Sequence, residues 1–254
     1  MPIVTDPVFY VLAIPAVIAL GLSKGGFAGV GQMATPLLAL VMPPLEAAAI
    51  MLPIMILQDA NSVWVYRKEW NGGLLAAVIP GAVVGITVAG FVASYISNDA
   101  VRVFIGAITI AFVLYNWLAA ARVARERKPP GPVAGVIWGA LSGFTSTLSQ
   151  AGGPPYQMYM LSQRLPKMVF VGTSALFFAA MNWMKVIPYV ALGQFSAKGL
   201  ATSAVLVPLA LVSNQLGFWL VRVTPQERFY KIILIVMFVI AVALLRVGIV
   251  GLMH

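Results

Sequence analysis

The sequence predicts an all-α integral membrane protein that crosses the bilayer several times. Hydrophobic residues make up 61% of its 254 residues, and charged residues only 9%. Its apolar runs repeatedly reach the roughly 20 residues that a membrane-spanning helix needs. Two polar, glycine-rich stretches, at 21–36 and 139–155, interrupt these runs in corresponding places. Together these observations predict two repeats of about five helical segments each, related by inversion in the membrane.

Charges, prolines and glycines divide the apolar runs into ten predicted helices. In the first repeat these are 7–22, 28–42, 45–66, 73–96 and 100–121. In the second repeat they are 132–146, 152–163, 167–190, 197–222 and 227–252. The first two segments of each repeat have about 15 residues, or roughly 23 Å, which is less than a hydrocarbon core of about 30 Å. We expect each such pair to be a re-entrant hairpin or two short tilted spans.

The two halves of the chain align with each other around the interrupted stretches. We predict an N-terminal repeat at 1–121, a basic cytoplasmic linker at 122–132 and a C-terminal repeat at 133–254. At an offset of 118 residues the matches are Gly21 with Gly139, Gly25 with Gly143, Gln32 with Gln150 and Pro36 with Pro154. Asn61 matches Asn182 at an offset of 121, and Gly90 matches Gly217 at 127. Irregular backbone inside a membrane must be buried or line a cavity, so the paired stretches predict a transporter's binding site.

Loop charges predict the orientation. If each interrupted pair leaves and returns to the same side, eleven basic loop residues share one face and only Arg102 and Lys198 lie on the other. The eleven are Arg67, Lys68, Arg122, Arg125, Arg127, Lys128, Arg164, Lys167, Arg222, Arg228 and Lys231. If each pair is instead one kinked crossing, the basic loop residues divide almost equally between the two faces. The positive-inside rule therefore favours the first topology, with both termini outside the cytoplasm and the second repeat inverted relative to the first.

Composition excludes several function classes. The chain has no cysteine, and its one histidine, His254, is the last residue, so we expect no enzyme, no metal site and no cofactor. The net charge of +9 arises from short loops rather than from a basic stripe with exposed aromatics, so we expect no nucleic-acid partner. The first residues lack the positive region of a cleaved signal peptide, and we expect the first apolar run to be retained.

Three ionisable residues inside the apolar runs are candidates for the site. A charged side chain near the bilayer centre costs roughly 2.5–3.5 kcal/mol or more, so such residues indicate function by default. Lys24 precedes Gly25, whose exposed backbone N–H groups can help to hold an anion; the alternative is a lysine that reaches the interface. Lys185 shares a helix face with Asn182, and the alternative is a structural pair with Asp59. We expect Asp59 to be the charge partner of a lysine, with proton coupling as its alternative role.

Neutral donors complete the predicted site. Amide and hydroxyl groups can coordinate anionic oxygens without carrying a fixed charge. Each one alone is more often an interhelical hydrogen bond. The pairing of Gln with Gln and Asn with Asn across the halves favours a site instead. The candidates are Gln32, Asn61, Ser149, Gln150 and Asn182.

At these residues the chain resembles the sulfite exporter TauE/SafE family of membrane permeases. The resemblance rests on GLSKGGFAGVGQMATPLL at 21–38, GALSGFTSTLSQAGGPP at 139–155 and GTSALFFAAMNWMKVIPY at 172–189. It covers nearly the whole chain in layout. The resemblance implies export of small sulfur-containing anions, such as sulfite or sulfonates, without ATP hydrolysis.

The sequence thus predicts a secondary carrier of the cell inner membrane that exports such an anion by alternating access. Its expected partners are the lipid bilayer and the small anionic substrate, and the oligomeric state stays open, a homodimer being one option. A channel, which would show no saturation of transport, is one alternative, and two others remain at this stage. One is a proton-coupled importer of an organic anion, in which Asp59 titrates. The other is a non-transporting membrane scaffold, which would tolerate changes at Lys24 and Gln150.

Overall fold

The structure, a computed structural model, describes residues 3–25, 30–120, 129–150, 152–223 and 226–253. Helix is the only regular secondary structure in these ranges. The helices are α1 (Pro7–Lys24), α2 (Ala34–Leu38), α3 (Pro44–Tyr66), α4 (Gly72–Ala93), α5 (Asn98–Ala120), α6 (Pro132–Ser149), α7 (Gly153–Ser162), α8 (Lys167–Ala191), α9 (Ala197–Val223) and α10 (Gln226–Leu252). A 3₁₀ turn at Val30–Met33 precedes α2. In this part of the chain, six helices are long and apolar enough to cross a membrane, which confirms the predicted all-α, polytopic class.

Local sequence explains where several helices begin. The Asp6 side chain accepts a hydrogen bond from the Val8 backbone N–H at 2.9 Å, and the Asn71 side chain accepts one from Leu74 at 3.1 Å. Each bond satisfies an N–H that has no partner within its own helix. Proline occupies one of the first two positions of α1, α3, α6 and α7, where the missing N–H costs nothing.

The first and second segments of each half form a hairpin. In the second half, the Ser142 hydroxyl of α6 donates to the Gly152 carbonyl oxygen at 2.6 Å, and Gly135 lies beside the Tyr159 ring of α7. The Gln163 side chain then donates to the Pro130 carbonyl oxygen at 3.0 Å, so the hairpin returns to the end where it began. In the first half, the 3₁₀ turn and α2 pack back along α1 in the same way.

The arms of these hairpins differ from the expected lengths. About 15 residues were expected for each arm, but α1 and α6 have 18 residues, or about 27 Å. The returning arms are shorter: α7 has 10 residues, about 15 Å, and α2 has five. The predicted ends at 22 and 146 came too early because the polar residues beyond them were taken as breaks, whereas α1 continues to Lys24 and α6 to Ser149.

Glycines in or next to α1 and α6 mark close helix crossings. A side chain at Gly21 or Gly25 would collide with Ser213 or Gly217 of α9. A side chain at Gly139 or Gly143 would collide with the backbone of α4 at Val78 or Ala82. Small residues let helix backbones approach closely in a membrane, where packing drives association. The first helix of each half is therefore packed against the fourth helix of the other half.

Corresponding helices of the two halves run in opposite directions. α3 lies against α8, and α5 against α10. The contacts that fix these directions are Leu52 with Tyr189, Tyr66 with Gly172, Gly106 with Leu245 and Val103 with Gly248. In both pairs the contacting residue numbers rise along one helix as they fall along the other, so the helices are antiparallel. By contrast, α1 runs parallel to α9, and α6 runs parallel to α4.

The described basic loop residues separate between the two ends of the bundle. Arg67 and Lys68 follow α3, and Arg164 precedes α8, whose first turns lie against the end of α3. Arg102 and Lys198 lie in the first turns of helices that begin at the opposite end. Arg122, Arg125, Arg127 and Lys128, in the predicted linker, lie outside the described residues.

Candidate functional site

A cavity of about 80 Å³ lies between the two hairpins and helices α3 and α8. At about 30 Å³ of liquid volume per water, this is room for two or three waters, or for one small anion. Its polar lining residues are Ser23, Lys24, Ser62, Ser146, Gln150, Gln157 and Ser174. Met55, Tyr156, Phe170 and Phe178 supply apolar walls. The cavity thus has the composition of a small-molecule site, with a few polar groups on an apolar surface.

Lys24 and Asp59 form a buried ion pair beside this cavity. The Lys24 ammonium contacts Oδ1 of Asp59, and the two side chains are 10% and 1% exposed. Asn182 donates from Nδ2 to the other carboxylate oxygen at 2.5 Å. Both oxygens of Asp59 are therefore bonded, as a buried carboxylate requires. The Lys24 ammonium also lies 5.5 Å from the Phe178 ring centroid, a cation–π distance.

The end of α1 explains why Lys24 is held in this position. Lys24 is the last residue of α1, where the negative end of the helix dipole favours a cation. The Ser62 hydroxyl donates to the Lys24 carbonyl oxygen at 3.0 Å, and the Tyr66 hydroxyl donates to that of Gly25 at 2.8 Å. These bonds from α3 satisfy carbonyl groups that have no partner within α1. One turn of α3 thus fixes the end of α1, and Asp59 on the same helix fixes the lysine.

Lys185 is fully buried and has neutral hydrogen-bond partners. Its ammonium donates to the Ser146 hydroxyl at 2.9 Å and to the Gln150 amide oxygen, both of which line the cavity. Within the described ranges, no carboxylate forms an ion pair with Lys185. The alternative of a structural pair with Asp59 is therefore wrong, because Asp59 is bonded to Lys24 and Asn182. A buried charge is costly unless an opposite charge compensates it, and among the described residues no carboxylate is in direct contact with Lys185.

Gln150 adopts a backbone conformation that is unusual for its residue type. It follows the last residue of α6 with φ of 57°, in the left-handed region. Its amide nitrogen donates to the Ala48 carbonyl oxygen of α3 at 3.2 Å while its amide oxygen accepts from Lys185. A strained residue of this kind persists only where its surroundings hold it, and such residues cluster at functional sites. The bend ends α6 beside the cavity and directs the amide towards Lys185.

The cluster lies well inside the bundle. Asp59 is seven residues before Tyr66, the end of α3, which is about 10 Å along the helix. Lys185 is six residues before Ala191, the end of α8, or about 9 Å from the opposite end. Because α3 and α8 are antiparallel, these two distances are measured from opposite ends of the bundle. Asp59 and Lys185 therefore both lie in its interior, away from either end.

Several predicted site residues are placed differently from the expectation. Asn61 donates to the Asn214 side chain of α9 at 2.6 Å instead of lining the cavity. Gly25 packs against Gly217, and its carbonyl oxygen accepts from Tyr66. The side chains of Gln32 and Ser149 lie outside the described part of the structure.

Sequence reasoning missed the hydroxyl groups of the cavity and Asn214. Ser62 lies three residues after Asp59, and Ser146 lies four residues before Gln150, so each shares a helix face with a residue that was singled out. Asn214 stands in an otherwise apolar stretch of α9, which is the same signal that identified Asn61. A search at helical spacing around each candidate would have found the two serines, and a search for amides inside apolar runs would have found Asn214.

Comparison with known protein families gives one match. The family model described as Sulfite exporter TauE/SafE matches residues 13–244, nearly the whole chain. No curated protein and no solved structure matches the chain.

Proposed function

Because the chain belongs to the sulfite exporter TauE/SafE family of membrane transporters, we propose that it exports sulfite or a small sulfonate across the inner membrane as a secondary carrier. The bound anion occupies the cavity between the two hairpins. It contacts the Lys24 ammonium, the Ser146 hydroxyl and the Gln150 amide, all of which line that cavity. Lys185 does not contact the anion directly; it donates hydrogen bonds to Ser146 and Gln150 on the side away from the cavity.

The observation that carries this proposal is the complete burial of the Lys185 amine with neutral partners only, in the part of the chain that the structure describes. Its ammonium is held only by neutral oxygens among the described residues, and both of its partners face the cavity. An anion in the cavity favours the protonated form of Lys185 and compensates its charge. Preorganised donors in a water-poor site are worth far more than the same groups in water. The hydroxyl and amide groups around the cavity then supply hydrogen bonds to the oxygens of the anion.

Export of an anion requires no coupling ion. A membrane potential that is negative inside favours anion exit by roughly 2.3 kcal/mol per charge for each 100 mV. Because 1.4 kcal/mol is a factor of about ten, this sustains an outward gradient of tens-fold. A carrier that needs neither ATP nor a second ion is consistent with a small cavity and a single charged cluster.

We further propose that the halves are inverted repeats with both termini outside the cytoplasm. Two observations support this arrangement. Corresponding helices run antiparallel, as α3 does to α8, which is the relation that a two-fold axis in the membrane plane produces. The end of the bundle that carries Arg67, Lys68 and Arg164 becomes the cytoplasmic face by the positive-inside rule. The cavity includes Val171 and Ser174 from the first turns of α8, so it lies towards that face.

In alternating access, the groups of helices that move together then differ from the two halves of the sequence. The close crossings join α1 to α9 and α6 to α4, and each crossing joins helices of different halves. Rocking one half against the other would separate backbones at Gly21, Gly25, Gly139 and Gly143. Motion that preserves these contacts carries α1 with α9 and α6 with α4, and the cavity lies between the two units.

Efflux from proteoliposomes tests the proposed function. Vesicles loaded with radiolabelled sulfite are given a potential that is negative inside, and release is measured for wild type, Lys185→Met and Lys198→Met. Lys198 is an exposed lysine at the end of the bundle away from Arg67 and Lys68, and it serves as the matched control. We expect saturable, voltage-dependent release that is lost in Lys185→Met and kept in Lys198→Met. Absence of sulfite release from wild type, or equal release from both variants, contradicts the proposal.

A further inference from the structure

When both lysines of the cluster are protonated, one positive charge is left without a carboxylate partner among the described residues. Lys24 and Lys185 are positive and Asp59 is negative, and within the described ranges no other charged side chain lines the cavity. The groups that face Asp59 from neighbouring helices are Lys24 of α1 and Asn182 of α8. On its own helix, Ser62 bonds to the Lys24 and Gln58 carbonyl oxygens rather than to the carboxylate. With Lys185 protonated, the single carboxylate therefore sets the net charge of the cluster at one.

From this arrangement we infer that Asp59 determines the valence of the transported anion and restricts the site to monovalent oxoanions. This inference rests on the proposed function and deepens it. A monovalent anion, such as a sulfonate or the hydrogensulfite form of sulfite, matches the one positive charge of a protonated Lys185 while the Lys24–Asp59 pair stays closed. A divalent anion brings a second negative charge next to Asp59, in a site that offers no second free cation. Asp59 thus acts as a specificity-determining residue and not only as a counter-ion.

The electrostatic effect of Asp59 is large enough to be measured. At a separation of about 6 Å and an effective dielectric constant of about 20, two unit charges interact by an energy that corresponds to a factor of about 100 in binding. Each additional negative charge on the anion meets this repulsion once. Removing the carboxylate charge should therefore raise the preference for divalent over monovalent anions by about 10-fold to 100-fold.

Methanesulfonate and sulfate are suitable probes for this selectivity. Both present sulfur-bound oxygens of similar geometry, and throughout the neutral pH range methanesulfonate carries one negative charge and sulfate carries two. Radiolabelled uptake of each by proteoliposomes containing the full chain gives a sulfate-to-methanesulfonate ratio that cancels differences in protein amount. We expect the wild type to prefer methanesulfonate and Asp59→Asn to raise the ratio by about 10-fold or more.

Two matched variants separate the charge effect from a structural one. Lys24→Met combined with Asp59→Asn removes the whole pair, restores a net charge of one and should restore the wild-type ratio. Asp99→Asn removes a carboxylate that pairs with Arg102 far from the cavity, and should leave the ratio unchanged. If Asp59→Asn does not fold, Gln157→Lys adds a positive charge at the cavity wall without touching the pair and should raise the ratio in the same direction.

The outcomes distinguish this inference from the proposed function. Suppose that the wild type takes up methanesulfonate but Asp59→Asn, or Gln157→Lys where that variant is used, leaves the sulfate-to-methanesulfonate ratio unchanged. This result overturns the role of Asp59 but not the proposed transport function. Wild-type uptake of sulfate in preference to methanesulfonate also overturns it. Failure of the wild type to move sulfite or either probe overturns both.

Discussion

Replacing Gly85 by alanine tests the close crossing between α4 and α6. The new methyl group would lie 2.8 Å from both the Ala140 carbonyl carbon and the Phe144 nitrogen, where ordinary contacts are 3.4–4 Å. The Ala140 carbonyl oxygen lies closer still, so the helices must separate by more than 3.4 − 2.8 = 0.6 Å. A gap of about 0.5–1 Å forfeits about a quarter to a half of the dispersion energy of the atoms involved. We expect a net loss of about 1–3 kcal/mol in the free energy of unfolding, as for other overpacked sites.

Thermal unfolding in detergent measures this loss against a control on the same helix. Gly73 lies in the first turn of α4, and a methyl group there would meet only the Asn71 side chain, at 3.4 Å. Gly73→Ala should be neutral or stabilising by up to about 1 kcal/mol, because alanine has the higher helix propensity. Each kcal/mol corresponds to about 2–4 °C in a chain of this size. A melting temperature of Gly85→Ala at or above that of the wild type would refute the reasoning.

Three further predictions follow from the cluster and the orientation. Lys24→Met alone should lower the free energy of unfolding by about 3–5 kcal/mol because it leaves Asp59 buried and unpaired, and adding Asp59→Asn should recover most of this loss in a thermal unfolding assay. Gln150→Gly should slow sulfite efflux, and it should lower the free energy of unfolding by about 1–2 kcal/mol, because the lost hydrogen bond to the buried Lys185 outweighs the relieved left-handed strain; efflux at the wild-type rate would contradict a role for the amide. Because the chain has no cysteine, single cysteines can be placed at Lys68 and Tyr95, which we expect on opposite sides of the membrane. A membrane-impermeant thiol reagent added to intact cells should label the cysteine at position 95 and not the one at position 68. Labelling of both would contradict the topology.

The sequence determined most of the architecture because apolar runs and their breaks are local signals. The predicted boundaries of the longest helices lie within a few residues of those observed, as for α3 at Pro44–Tyr66 and α9 at Ala197–Val223. The role of the glycines was not a local signal. A glycine that breaks a helix and one that permits a close crossing look alike in one sequence, and only the neighbouring backbone distinguishes them.

The same limit explains the mistaken alignment of Gly90 with Gly217. Gly217 packs against α1, whereas Gly90 lies beside Pro188 of α8, so the two positions are not equivalent. In the first half, the contact that corresponds to Gly217 is made by Gly81 and Gly85 of α4, which lie against α6. A two-residue match cannot reveal which face of a helix its glycine occupies.

The charged residues of the candidate site were predictable from the sequence, but their pairing was not. Lys24, Asp59 and Lys185 stood out because a charge inside an apolar run is rare. Which lysine pairs with Asp59 depends on the crossing of α1, α3 and α8, and that crossing is a tertiary property. The sequence therefore indicated a charge partner without identifying the free lysine, which the structure identifies as Lys185 among the described residues.

The central claim is that an anion binds in the cavity against the uncompensated charge of Lys185. Equilibrium binding of radiolabelled sulfite to purified wild type, Lys185→Met and Lys198→Met tests this claim most directly, because it is independent of transport direction and coupling. The account predicts saturable binding that weakens by 10-fold or more, about 1.4 kcal/mol or more, in Lys185→Met and is unchanged in Lys198→Met. Equal affinity in all three proteins would contradict the account and place the anion elsewhere in the molecule.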